Sequence, residues 1–379
     1  MTALRKGLQS RRDFLRLGAG AAGAGLGSLL LPGTSGIAAA ATVPADKALI
    51  AAAKAGGQLN VIALPPDWAN YGKMIVEFGK LYGIRVDSAS PDASSAQELQ
   101  AVTSLKGQSR GPDVVDVGPS FALAAVEQGL LQPYKVATWN SIPANMKDAG
   151  GLWTGDYFGV VSFGVNRNVV KNPPRTWSDL LKPEYKGMVA LNGSPLGAGA
   201  AFGGVFAAAL GNGGSLDDIA PGIAFFAKLA KAGNFNPSSA TSASLVSGQT
   251  PITINWDYLN LAQAQKNKAL VRIDTVVPAD AAPYGGYYCQ AISKFAPNLK
   301  AAQLWEEFLY SDAGQLIFLE GFAHPARFGD LVQRGVVPKA LLAMLPPAEP
   351  YKHVQFADKA QTEKAQAALK SEWAQQVKV

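Results

Sequence analysis

Sulfur and imidazole are scarce in this chain. Cys289 is the single cysteine among 379 residues, so no internal disulfide can form. It also lies far from the N-terminus, which leaves no cysteine to carry a lipid after an export signal. The two histidines, His324 and His353, stand near no other good ligand at a metal-site spacing. A transition-metal centre would have to rest on carboxylates and tyrosines. Tyr287 and Tyr288 are adjacent phenols of the kind ferric iron favours, but neighbours on a strand point to opposite faces. Enzyme signatures are missing too. Ser194 directly follows Gly193 instead of standing midway between two glycines, so the nucleophile-elbow spacing fails. Gly197, Gly199 and Gly203 miss the dinucleotide fingerprint, with Phe202 where its third glycine belongs, and no Gly-Lys-Ser/Thr phosphate loop occurs. His324, in Phe322-Ala323-His324-Pro325, reads as a turn histidine.

Charge of one sign is concentrated, not spread. Of the formal +6, most sits in residues 1–41, where Arg5, Lys6, Arg11, Arg12 and Arg16 face Asp13 alone. The remainder intersperses acids and bases with no basic run, which excludes nucleic acid as a partner. That first segment has a charged start, an apolar run at 17–31 and small residues at 38–41, the order of a cleaved export signal. The apolar run is short of the roughly twenty residues a spanning helix needs. Ser10-Arg11-Arg12-Asp13-Phe14-Leu15-Arg16 resembles the twin-arginine export motif, with Arg16 replacing the usual lysine. The expectation is a soluble periplasmic monomer starting near Thr42.

After a polar stretch to Gly57, short apolar runs alternate with segments of helical period, the pattern of a sheet covered by helices. Strands are predicted at 59–64, 84–88 and 114–117, with helices at 71–82, 95–105 and 121–128 between and after them. A second series starts with a strand at 160–165 and a short helix at 177–181. It continues through strand 188–191, an apolar helix from about Gly199, helix 216–231, strand 252–255, helix 258–265 and strand 271–277. Helices at 299–309, 313–319 and 357–376 are too few for a third core and must pack back onto the first two.

Three stretches together resemble the extracellular solute-binding proteins that serve polyamine, ferric iron, thiamine and aminophosphonate importers. Pro174-Arg175-Thr176-Trp177-Ser178-Asp179-Leu180-Leu181-Lys182-Pro183-Glu184-Tyr185-Lys186-Gly187-Met188-Val189 is similar to that family's middle signature. Residues 302–315, around Trp305-Glu306-Glu307-Phe308-Leu309, are similar to its late helix pair, and 159–166 to the strand that crosses between lobes. The resemblance covers residues 57 to about 327. It implies an α/β, two-lobed periplasmic-binding-protein fold of type II, each lobe a parallel-type sheet with flanking helices. Two crossover strands, 160–164 and 284–288, would join the lobes. Lobe one would hold 42–161 and 286–335, and lobe two 162–285 and 336–379. The implied role is substrate capture for an ABC-importer permease, without a cofactor.

Open parallel sheets bind ligands beyond the carboxyl ends of their strands, and four loops lie there. Pro65-Pro66-Asp67-Trp68-Ala69-Asn70-Tyr71 offers Trp68 and Tyr71. Polyamine binders carry a similar Trp-x-x-Tyr, while a capped helix start with Trp68 as core is the structural alternative. Ser120, after Gly118-Pro119, can cap a helix or offer its hydroxyl. The glycine-rich run at 192–199, with Ser194, has helix-entry N–H groups that suit an anion and lacks the acids polyamine binders often place there. Asn255-Trp256-Asp257-Tyr258 supplies a cation–π face and a carboxylate for an ammonium, unless Asp257 caps the helix and Trp256 packs. Tyr258 and Tyr287 complete the candidates. The expected ligand is an amine-bearing solute of polyamine type, with an aminophosphonate or other zwitterion as the alternative. Outside the binding class stands an exported enzyme, which no nucleophile–base or metal constellation supports.

Overall fold

The computed structural model describes residues 46–345 and 350–378. The expected export signal at 1–41 lies outside the described residues. Ten strands are described: β1 (Gln58–Ile62), β2 (Arg85–Ala89), β3 (Val114–Val117), β4 (Leu131–Gln132), β5 (Thr154–Asn166), β6 (Val189–Leu191), β7 (Ile252–Trp256), β8 (Ile273–Val276), β9 (Gly285–Ser293) and β10 (His324–Pro325). β3 and β7 are buried throughout, their polar residues Asp116, Thr253 and Asn255 included. β2 is largely exposed and carries an Arg85–Asp87 ion pair of 2.7 Å, charges that discourage pairing at an open edge.

β5 organises the molecule. Its first part runs antiparallel to β9, ending with Val160 opposite Gly285, and from Val161 opposite Trp256 it pairs antiparallel with β7. β8 lies on its other edge, from Phe163 to Asn166. One strand thus belongs to two sheets, one built with β3, β4, β9 and β10 and the other with β6, β7 and β8. The sheets are mixed: among the described strands the parallel pairs are β1–β2 and β6–β7, each joined through helices, while the pairing of β5 with β7 and β9 is antiparallel. β1 sits beside β3 through Asp113, whose N–H donates to Asn60 O at 2.9 Å and whose carboxylate accepts from Asn60 N at 2.7 Å.

The helices follow from the spacing of apolar residues. Helix Tyr71–Tyr82 buries Tyr71, Met74, Phe78 and Tyr82 along one face and ends at Gly83, whose φ of 67° is the left-handed value glycine tolerates. Helix Gly199–Leu210 is buried almost all round, and a Cβ at Gly203 would stand 2.6 Å from the Trp256 ring. The glycine is there so that helix and ring can touch.

In the tail, Val337 and Leu341 pack with Leu316, Leu319 and Leu331, residues expected in the first lobe. Helix Lys359–Gln376 reaches both sides: Trp373 packs on Phe226 at 5.5 Å, and Lys359 pairs with Glu127 at 3.1 Å. Just before this helix, Gln355 bridges Tyr284, which feeds β9. His324, expected in a turn, is instead buried in β10 among Phe158, Phe328 and Tyr351. Burial holds its imidazole down to about 4.

Candidate functional site

A cleft of about 740 Å³ lies beyond the C-terminal ends of β1, β3, β6 and β7. From one side it is lined by Pro65 to Trp68, Ser95, Glu98, Asp116 and Tyr288, and from the other by Asn192, Gly199, Asn255, Asn260 and Gln263. Asp67 and Lys266 form an ion pair across it, joining the loop after β1 to the last turn of helix Asp257–Lys266.

The floor of the cleft is acidic and short of partners. Glu98 Oε2 accepts from the Asp116 N–H at 2.9 Å, and the Asp116 Oδ2 accepts from Tyr157 Oη at 3.4 Å. Asp116 Oδ1 is buried with no hydrogen-bond partner. Behind it Asp156, fully buried, accepts from Tyr71 Oη at 2.7 Å and from the Tyr157 N–H at 2.8 Å. Gln290 Nε2 in turn donates to Tyr71 Oη at 2.8 Å. Burial raises all three acids; the charge of Asp116 raises Glu98 and Asp156 further, and the neighbouring side chains of Tyr71, Tyr157 and Asp156 only partly relieve Asp116. No basic side chain enters these balances. A buried carboxylate in that state either holds a proton or waits for a cation.

Aromatic rings wall the same floor. Trp68 meets Tyr288 edge-on at 5.6 Å and Tyr258 at 6.1 Å, while Tyr157 stacks on Tyr288 at 5.9 Å. Trp68 Nε1 donates to Tyr157 Oη at 2.7 Å, which fixes the indole against the wall.

The sequence-predicted residues scatter over these surroundings. Trp68 lines the cleft as expected. Tyr71 and Tyr258 stand behind it, both fully buried, Tyr71 as a support for Asp156 and Tyr258 with its hydroxyl unpartnered. Asp257 is the first residue of helix Asp257–Lys266, with Trp256 in the cap position, and it does not line the cleft. It is fully buried, Oδ1 accepts from the Val160 N–H at 2.9 Å and Oδ2 accepts from the Tyr351 hydroxyl, so both oxygens are spent on the crossover strand and the tail. Trp256 packs against Gly203 and Gly286, where a Cβ would stand 2.6 Å and 2.2 Å from its ring. It is not among the residues that line the cleft. Ser194 is exposed and its hydroxyl accepts from Leu196 N at 3.3 Å. Ser120 is the second residue of helix Pro119–Glu127, with Gly118 in the cap position. Tyr287 turns away from the cleft, stacking on Trp153 at 6.3 Å and donating to Asn145 O at 3.3 Å, whereas its neighbour Tyr288 faces in. Sequence reading missed Glu98, Asp116 and Tyr288. An acid inside a strand predicted as buried was the available signal for Asp116.

Among the described residues no group of three or more His, Cys, Asp and Glu is placed to hold a metal ion, and no helix is long and apolar enough to cross a membrane.

The family model of bacterial extracellular solute-binding proteins matches residues 109–362, well over half of the chain. A Salmonella typhimurium periplasmic protein named for binding 2-aminoethylphosphonate is 32% identical over 158 residues, which are 41% of this chain and 44% of that protein. The chain spans about half the length of the curated relatives it matches. An ABC transporter substrate-binding protein from Bradyrhizobium japonicum superposes with a TM-score of 0.67 at 17% identity, covering 85% of this chain and 100% of that one. The spermidine/putrescine substrate-binding protein of Streptococcus pneumoniae gives 0.60 at 17% identity, over 85% and 99%. These structures share the two-lobed fold.

Proposed function

Since the chain belongs to the family of bacterial extracellular solute-binding proteins, we propose that it captures a small amine-bearing solute in the cleft and delivers it to the membrane permease of an ABC importer. The observation that carries the amine is Asp116, 5% exposed, lining the cleft with one carboxylate oxygen unpartnered. An ammonium there would take a charge-assisted hydrogen bond and relieve the repulsion between Asp116 and Glu98. Trp68 and Tyr288 would lend ring faces or edges to the same cation or to its methylene chain. The ligands for which two relatives are named, 2-aminoethylphosphonate and spermidine or putrescine, share a primary ammonium. Capture involves no chemical step, and the protein needs no cofactor for it.

The lobes part where β5 changes partners, at Val160 and Val161, and the Asp67–Lys266 ion pair joins them in a closed form. Export by the twin-arginine route, with cleavage near Ala41, completes the reading. Arg11→Lys with Arg12→Lys should abolish periplasmic yield, and unchanged yield would remove that route.

The test is mass spectrometry of whatever co-purifies, with a thermal-shift panel of putrescine, spermidine, 2-aminoethylphosphonate, thiamine and ferric ion. A true ligand raises the melting temperature by mass action. An amine should do so. Stabilisation by ferric ion alone, or turnover of any panel compound, would overturn the reading.

A further inference from the structure

Beside the cleft lies a smaller chamber of about 60 Å³, room for a few waters and so for one small headgroup. Its chemistry is the reverse of the acidic floor. No acidic side chain lines it, and donors converge on it. It shares Ser95, Gly199 and Tyr288 with the cleft, so the two communicate.

One wall is the start of helix Gly199–Leu210. Phe202 N is the first amide there to find a helical acceptor, at Ala198 O, which leaves the N–H groups of Gly199, Ala200 and Ala201 at the positive end of the helix. A second wall is Trp256, 3% exposed, whose indole Nε1 is buried with no hydrogen-bond partner. Gly203 and Gly286 both come up against the outer end of its six-membered ring, where a side chain on either would collide with it. The indole comes close enough to Tyr288 to lower that phenol's pKa against the larger upward effect of burial, without hydrogen-bond geometry. The Tyr288 hydroxyl is itself 3.5 Å from where a Gly199 Cβ would be, so indole, phenol and helix start meet at one point. Opposite, Ser95 Oγ accepts from Gly118 N at 3.1 Å, leaving its own hydrogen to donate.

We propose that this chamber binds the oxyanion end of the solute, a phosphonate or a carboxylate, while Asp116 and Glu98 hold its ammonium. The inference rests on the amine reading above and narrows the ligand class from amines to small zwitterions. A buried indole N–H without an acceptor is a cost the fold carries until an anion arrives. A diamine would leave that cost in place and set its second ammonium against a helix N-terminus.

Calorimetry with 2-aminoethylphosphonate, methylphosphonate and putrescine tests it on the wild type, Trp256→Phe and Gly199→Ala. The second variant is sterically mild, with its new methyl in ordinary contact with Tyr288, yet it fills the chamber mouth. The wild type should prefer 2-aminoethylphosphonate to putrescine by about tenfold or more, and either variant should erase most of that preference. Putrescine bound as tightly as 2-aminoethylphosphonate, or a preference untouched in both variants, would overturn the chamber assignment while leaving the amine reading intact. Methylphosphonate bound with no affinity for either amine would support the chamber and sink the amine reading instead. Binding of none of the three would count against both.

Discussion

Two buried aspartates, Asp116 and Asp257, face the same problem and solve it differently. Asp257, beside Trp256, has two neutral partners, the Val160 N–H and the Tyr351 hydroxyl, and burial pushes it up to about 6. Asp116, beside Glu98, has one weak phenolic partner and one bare oxygen, and burial pushes it up to about 7. The first is a fastener and the second a vacancy. A carboxylate in a ligand-facing loop is therefore no site until its own oxygens have been accounted for.

The comparison can be broken at either end. The largest effect is expected at Asp257→Ala, which strands a buried N–H and a buried hydroxyl between the crossover strand and the tail. It should cost about 2–3 kcal/mol of unfolding free energy, read by urea denaturation. A loss of amine affinity without loss of stability would restore Asp257 as a ligand group. Asp116→Asn should do the opposite, leaving stability equal or higher and weakening 2-aminoethylphosphonate by about 1.5–3 kcal/mol, roughly tenfold or more in calorimetry. Trp68→Phe is milder. It keeps a ring but loses the hydrogen bond to Tyr157, and should weaken the same ligand by about 0.5–1.5 kcal/mol, a severalfold change in Kd.

The smallest effect is in pH. Asp116 is raised in the folded protein above its unfolded carboxylate range near ~3.9, so its protonation contributes stability that is present below that range and lost as pH rises through about 7. The melting temperature of the empty protein should fall between pH 5 and pH 8, and Asp116→Asn should flatten that fall. Amine affinity should run the other way, rising over the same window as the carboxylate ionises. Parallel melting profiles for the variant and the wild type would show that Asp116 does not titrate there.

Much of the fold was legible because its signals are local. The strand at 114–117, the helix at 299–309 and the helix ending at Gly83 follow from apolar spacing and a glycine stop, and all are found as such. Helix Lys47–Gly56 was hidden in a stretch that read as merely polar. The interleaved order of the lobes came from the family resemblance, not from periodicity, since no local signal says that β5 will join two sheets.

The site was less legible, for a physical reason. Whether Asp257 is free depends on Val160 and Tyr351, each more than ninety residues away in the chain. Whether Asp116 is free depends on no lysine or arginine arriving, which no spacing reports. Glu98 did carry a hint, since it shares a helical face with buried Val102, four residues on, where an acid is out of place.

The central claim is that the solute's ammonium binds at Asp116 and not at Asp257. Calorimetry of 2-aminoethylphosphonate and putrescine against Asp116→Asn and Asp257→Asn, both checked for folding, tests it most directly. The account predicts that Asp116→Asn weakens whichever amine binds by about tenfold or more, while folded Asp257→Asn stays within about threefold of the wild type. Unchanged affinity in Asp116→Asn, with the loss falling on Asp257→Asn, would contradict it.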